Sequence, residues 1–197
     1  MDRKEHTFIA RHFELSLVVM QAAASDPRLL EDCVAIACLC ATSLRGGGKL
    51  LLAGNGGSAG DAQHIAGEFI SRINFDRAPL AAIALTVDTS VLTATGNDYG
   101  YEKVFERQVL ALGSPGDVFI GISTSGKSPN ILRALEAARS RSVHTVGFGG
   151  AGASEMGPLC DLLLAVPSRS TPLIQQIHIV AAHAICGCIE AMLFERN

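Results

Sequence analysis

The sequence predicts an α/β protein: a doubly wound, parallel, five-stranded sheet flanked by helices, with two further helices ahead of it. Three observations predict this. Five short apolar runs, at 49–53, 81–85, 118–122, 143–148 and 162–166, alternate with stretches of helical periodicity. Runs of this kind suit parallel strands covered by helices on both faces. Hydrophobic residues make up 48% of the chain but aromatic ones only 5%, and Trp is absent. The core is therefore mostly Ala, Leu, Ile and Val, as helices packed on a sheet require.

The 197 residues suit one domain, a helical pair over 1–46 followed by an α/β core over 47–197 that ends in a long helix. In the first helix, expected over 3–24, Phe8, Phe13, Leu15, Leu17, Val18 and Met20 recur at roughly helical spacing. Asp26 before Pro27 reads as an N-cap followed by a first-turn proline. The second helix then runs over 27–45 and stops at Gly46-Gly47-Gly48. Amphipathic helices placed before any strand can cover the domain or pack on a partner chain, and self-association is expected. Further helices are expected at 58–72, 89–96, 101–112, 129–141 and 171–194. In the segment 95–100, Gly96 is expected to end one helix and Asp98 to cap the next, with hydrogen bonds from Asn97 and Asp98 to a polyol as the functional alternative.

Net charge is −3 and no Lys/Arg block occurs, which gives no reason to expect nucleic acid. The start, MDRKEHTF, is charged and lacks the apolar stretch of a signal peptide. No apolar run is expected to span a membrane, and the expected location is the cytoplasm. The cysteines, Cys33, Cys38, Cys40, Cys160, Cys186 and Cys188, form no C-x-x-C pair and mostly lie in apolar helical sequence, as small buried groups in a reducing compartment would.

Two glycine turns follow the first and third strands, at the carboxyl ends where doubly wound sheets bind ligands. After strand 49–53, Gly54, Gly56 and Gly57 lead into a helix at Ser58, so backbone N–H groups are exposed to an anion. Gly54-x-Gly56-x-x-Ala59 also fits a loose dinucleotide fingerprint. That fingerprint needs an acid ending the second strand, whereas Asp76 precedes it in the loop 74–79. After strand 118–122, residues 121–128 satisfy the P-loop pattern G-x-x-x-x-G-K-[ST]. A nucleotide triphosphate loop usually follows an early strand, and here it follows the third. No partner strand ends in a metal-binding Asp, since Asp161 precedes its strand. Hydroxyls at Ser123, Thr124, Ser125 and Ser128 suit a phosphate monoester, whose three oxygens need many donors. A phosphosugar is the expected ligand, with a P-loop or a plain solvated connector as alternatives.

His64 and Glu68 stand four apart on the helix that opens at Ser58, so they share a face. In the apolar C-terminal helix, His178 and His183 need partners or water. His64, Glu68, His183 and a glutamine would suit a divalent transition metal such as Zn²⁺. Gln175 and His183 are eight apart, about 12 Å along a straight helix and about 80° around it, a long reach for one ion.

Taken together, residues 53–58, Asp61 to His64, Gly67-Glu68, 92–99, Ser123 to Gly126, and Ile174-Gln175 with His183 resemble the sugar isomerase (SIS) fold, and within it the phosphoheptose isomerases. The resemblance covers nearly the whole chain. It implies conversion of sedoheptulose 7-phosphate to D-glycero-D-manno-heptose 7-phosphate, an early step toward bacterial lipopolysaccharide or capsule heptose. It implies a homotetramer with active sites at subunit interfaces and one Zn²⁺ per subunit on His64, Glu68, Gln175 and His183. Substrate contacts fall on Asn55, Gly56, Gly57, Ser58, Glu68, Asn97, Asp98, Ser123, Thr124, Ser125, Ser128 and Gln175. Moving a proton between C1 and C2 through an enediol needs a base and an acid, and these roles fall to Glu68 and His183. The chain departs from the family's usual pattern in having no acid in residues 169–172, a glycine-rich loop at 147–152, and Lys127 after Gly126. The alternative is a non-catalytic SIS-domain protein that associates with the replication initiator DnaA. Such proteins lack a carboxylate and an imidazole at the positions of Glu68 and His183.

Overall fold

The structure, a computed structural model, describes residues 3–153 and 155–194. Its helices are α1 (Arg3–Ala24), α2 (Pro27–Arg45), α3 (Gly57–Ile70), α4 (Thr89–Tyr99), α5 (Glu106–Leu112), α6 (Pro129–Ser140) and α7 (Thr171–Phe194). Its strands are β1 (Leu50–Gly54), β2 (Ala82–Ala84), β3 (Val118–Ile122), β4 (His144–Gly150) and β5 (Leu162–Val166). All neighbouring strands are parallel, in the order β2-β1-β3-β4-β5. The chain winds outward from β1 to β2, then crosses back to β3 on the other side. The adjoining carboxyl ends of β1 and β3, with Gly54 beside Ile122, thus form the switch point of the sheet.

Strand periodicity divides the core in two. Leu50 and Leu52 face a cluster shared with Ile36, Phe69, Val146 and Ile177 from α2, α3, β4 and α7. Leu51 and Ala53 face the opposite cluster, with Val109, Ile131 and Leu135 from α5 and α6. As expected, Asp26 caps α2, its Oδ1 accepting from the N–H of Arg28 at 3.0 Å and of Leu29 at 3.4 Å. The C-terminal half of α1 buries Val19 and Ala23. Its outer turns leave Phe8, Ile9, Phe13, Leu17 and Val18 more than half exposed.

Three expectations are corrected. Gly96 does not end α4. The helix continues through Asn97 and Asp98 to Tyr99 and stops at Gly100, whose φ of 90° a side chain would resist. Asp98 therefore lies inside α4 and caps nothing. The helix expected over 101–112 is split, with a 3₁₀ turn over Tyr101–Lys103 ahead of α5. Finally, α7 is long and apolar enough to cross a membrane, with mean hydropathy 1.8. Its apolarity serves packing: Ile174, Ile177, Ala181, Ile185 and Ile189 join the core, and Glu190 is fully buried on the same helix.

His178 shows how that helix holds a polar group. It is 1% exposed, packs on Phe148 at 5.6 Å between ring centroids, and donates from Nε2 to the Gly149 carbonyl at 3.2 Å. Its Nδ1 has no partner among the described residues. Burial lowers its pKa to about 4, against the opposing pull of the Gly149 carbonyl. The neutral ring is the folded form, while the unfolded chain takes up a proton below about 6.5. Stability from this residue is thus complete above pH 6.5 and is lost as pH falls toward 4, by roughly 3 kcal/mol. Denaturant titrations at pH 7, 5.5 and 4 on the wild type and His178→Gln should show a flatter pH dependence in the variant.

Candidate active site

Three helices start around the switch point. The N-cap residues of α3 and α6, Gly56 and Ser128, make no side-chain cap bond. Several first-turn N–H groups bond back to the entering turn, Ser58 to the Asn55 carbonyl, Ala59 to Gly56 and Ile131 to Ser128, each at 3.0 Å, and the helix dipoles favour an anion at both starts. A cleft of about 380 Å³ opens here, lined by Asn55, Gly56, Gly57, Ser58, Ile122, Ser123, Thr124, Ser128, Thr171 and Gln175. No lining side chain is charged, so an anion would be held by hydroxyls, amides and backbone donors.

The serine loop is shaped by short contacts. Ser123 and Ser128 share a hydroxyl hydrogen bond at 3.0 Å, and Thr124 lies 3.5 Å from Thr171 between hydroxyl oxygens. Ser125 is exposed, its Oγ accepting from the N–H of Lys127 at 3.2 Å. The Lys127 ammonium turns outward to Glu155 at 3.4 Å rather than over the loop, unlike the lysine of a nucleotide P-loop.

Across the cleft, Asn55 and Asn130 pair reciprocally. Asn55 Nδ2 donates to Asn130 Oδ1 at 2.9 Å and Asn130 Nδ2 to Asn55 Oδ1 at 2.8 Å, with the Tyr101 hydroxyl adding a third bond to Asn55 at 3.2 Å. This pair ties the β1 turn to the start of α6. Sequence reasoning missed Asn130 and Tyr101. The available signal was that Asn130 heads the buried stripe of α6, with Ala134, Ala137 and Ala138.

Further along α3 and α7, His64, Glu68 and His183 converge, with their candidate ligand atoms within 4.8 Å of one another. His64 Nε2 lies 2.8 Å from His183 Nε2 and 3.3 Å from Glu68 Oε1. The two rings meet edge to face at 5.0 Å. At 2.8 Å the two ring nitrogens are within hydrogen-bonding distance, and the tautomer of each ring decides which one donates. Three N/O donors on one partly exposed site fit the coordination of a divalent transition ion. One chain supplies all three. One turn before His64, burial raises the Asp61 carboxyl against the pull of that histidine, and one Asp61 oxygen has no partner among the described residues.

Of the residues singled out for substrate, Asn55, Gly56, Gly57, Ser58, Ser123, Thr124, Ser128 and Gln175 line the cleft, and Ser125 stands at its loop. Asn97 and Asp98 do not line it; they are exposed at the end of α4, joined by a 2.8 Å bond. Gln175 donates from Nε2 to Ser58 Oγ at 3.3 Å. It sits so close that a Cβ on Gly57 would fall 2.6 Å from that nitrogen.

A five-stranded parallel sheet with a hydroxyl-lined cleft at its switch point makes this an α/β ligand-binding domain of the doubly wound class. The SIS-domain family model matches residues 26–150. The phosphoheptose isomerase of Burkholderia pseudomallei is 56% identical over 197 residues, the whole of both chains. That of Aneurinibacillus thermoaerophilus is 51% identical over 190 residues, 96% of each. The solved phosphoheptose isomerase of Neisseria gonorrhoeae superposes with a TM-score of 0.89 at 44% identity, covering 94% of this chain and 98% of that one. The chain belongs to the phosphoheptose isomerase family of SIS-domain proteins.

Proposed function

We propose that the chain isomerises sedoheptulose 7-phosphate to D-glycero-D-manno-heptose 7-phosphate, supplying heptose for a bacterial surface polysaccharide. The observation that carries this is the placement of the hydroxyl cleft and the carboxylate–imidazole cluster along the same two helices. Ser58 at the cleft and His64 in the cluster are six residues apart, about 9 Å along α3. From phosphorus to C2, an extended heptulose 7-phosphate spans about 9 Å with bonds of about 1.5 Å. A phosphate held beside Ser58 would leave C1 and C2 at about the level of that cluster.

In this reading Ser123, Thr124, Ser125 and Ser128 hold the phosphate with the N-termini of α3 and α6, which fixes the sugar's register. Glu68 removes the proton from C1 and returns it at C2, and His183 protonates and deprotonates the oxygens. His64, Glu68 and His183 would hold one Zn²⁺ per subunit, with Gln175 the fourth ligand that the resemblance implies. When bound, that ion polarises the carbonyl and hydroxyl oxygens. The non-catalytic alternative has no support, since the relatives are named isomerases and both groups it would lack are in place.

The working unit is a homotetramer with shared active sites. The exposed apolar residues of α1, Phe8, Ile9, Phe13, Leu17 and Val18, support this. So do Asn97 and Asp98, which stand apart from their own cleft and would serve a neighbouring subunit's. The unpaired cysteines, with burial pushing the thiols of Cys40, Cys160 and Cys186 up to about 12, suit the reducing cytoplasm. Incubating the purified protein with sedoheptulose 7-phosphate and following C1 and C2 by NMR tests the activity. An aldose product signal is expected, and unchanged ketose at high enzyme concentration would overturn the assignment.

A further inference from the structure

The helices that carry the reacting groups meet at three levels. At the cleft, Gln175 of α7 reaches Ser58 of α3; midway, His183 meets His64. At the far end Arg77, from the loop after α3, bridges the two helices. Its Nη2 donates to the Glu68 carbonyl at 2.8 Å and its Nη1 to the Phe69 carbonyl at 2.7 Å, while Nε donates to Glu190 Oε1 at 3.0 Å. Glu190 also accepts the backbone N–H of Ile73 at 3.1 Å and of Asn74 at 2.8 Å. The side chains of Arg77 and Glu190 are 3% and 0% exposed.

We infer that the buried Arg77–Glu190 pair is the positioning device that sets the register of α3 against α7 and so holds Glu68 beside the two histidines. Glu190 is seven residues, or about two turns, beyond His183, which places both on one face of α7. Arg77 satisfies the orphan carbonyls in the last turn of α3, one of them Glu68's own. Of the three levels, the Gln175–Ser58 contact borders the open cleft and the histidine pair is exposed to ligand. The third is closed to solvent and built from five hydrogen bonds. Burial alone would raise the Glu190 carboxyl, but the Ile73 and Asn74 donors and the guanidinium outweigh it and hold it ionised. A lysine could not satisfy two carbonyls and a carboxylate from one fixed plane.

This inference rests on the isomerase reading for its kinetic test and on the structure alone for its spectroscopic one. The variants are Arg77→Lys, Glu190→Gln and Glu190→Asp; the last keeps the charge and shifts it by one methylene. Folding is checked by cooperative unfolding. In folded variants kcat should fall about 10- to 100-fold with KM for the phosphosugar within threefold, because the reacting groups move while the serine loop stays. Long-range ¹⁵N–¹H NMR of the metal-free protein should show His64 and His183 in complementary tautomers in the wild type and the loss of that pattern in the variants. Wild-type kcat with an unchanged tautomer pattern in Glu190→Asp would overturn the inference, as would KM rising in step with a falling kcat while that pattern persists. If the wild type itself turns over no heptulose phosphate, the isomerase reading fails, and the tautomer comparison still decides the positioning role.

Discussion

Replacing Glu68 by Gln is expected to lower kcat by about 10³-fold, within the range for loss of a positioned general base, while the phosphosugar still binds. The substitution keeps the shape of the side chain and its acceptor oxygen toward His64, now 3.3 Å away. It removes the negative charge, and with it both the capacity to take a proton from carbon and the carboxylate that the proposed Zn²⁺ site would use. The Glu68 backbone carbonyl, held by Arg77, is untouched, and the side chain is 20% exposed, so the fold should tolerate the change. Binding should persist because the phosphate ligands are on the loop after β3 and at the start of α3, more than a helical turn from Glu68. Isothermal titration with sedoheptulose 7-phosphate and an NMR turnover assay on the same preparation check both halves. Turnover near the wild-type rate would remove Glu68 from the role of base. Loss of binding together with turnover would make it a substrate ligand instead.

Much of this arrangement was legible in the sequence, because local chemistry marks it. Asp26-Pro27 and Thr171-Pro172 announce helix starts, and the α1, α2 and α7 bounds follow from them. The five apolar runs became the five strands, and both glycine turns fell at the switch point. The end of α4 was not legible: Gly96 looks like a stop, yet a helix interior tolerates it where nothing crowds the site, and no atom lies within 4 Å of where its Cβ would be. Arg77 and Glu190 were not legible either. They are 113 residues apart, and only the fold joins them. The one available hint was an acid on the buried stripe of α7 that also holds Ile174, His178, Ala182 and Cys186. The same limit applies to Asn97 and Asp98, which do not line the chain's own cleft and for which we propose a neighbouring subunit's.

Gly126→Ala is expected to disable the serine loop outright. Gly126 has φ +68°, a conformation that costs an L-residue about 1–2 kcal/mol. A Cβ there would also lie 2.3 Å from the Ala153 Cα and 2.8 Å from its Cβ. Ala153 is backbone held in its own turn, its N–H donating to the Gly150 carbonyl at 3.1 Å, so relief must come from the serine loop. The Gly126 N–H closes the turn onto the Ser123 carbonyl at 3.0 Å, and that turn sets the 3.0 Å approach of the Ser123 and Ser128 hydroxyls. Displacing it scatters the phosphate donors. Stability should drop by on the order of 3 kcal/mol, and phosphosugar affinity by about 100-fold, or roughly 2.7 kcal/mol. Gly60→Ala is the matched control: the same added methyl, in the interior of α3, with no atom within 4 Å of the new Cβ. It should leave binding unchanged and raise stability by about 0.5–1 kcal/mol. Thermal unfolding and titration calorimetry on both variants separate the cases. If Gly126→Ala bound the phosphosugar as tightly as Gly60→Ala, the serine loop would not be the phosphate site, and the anion would have to sit on the α3 turn alone.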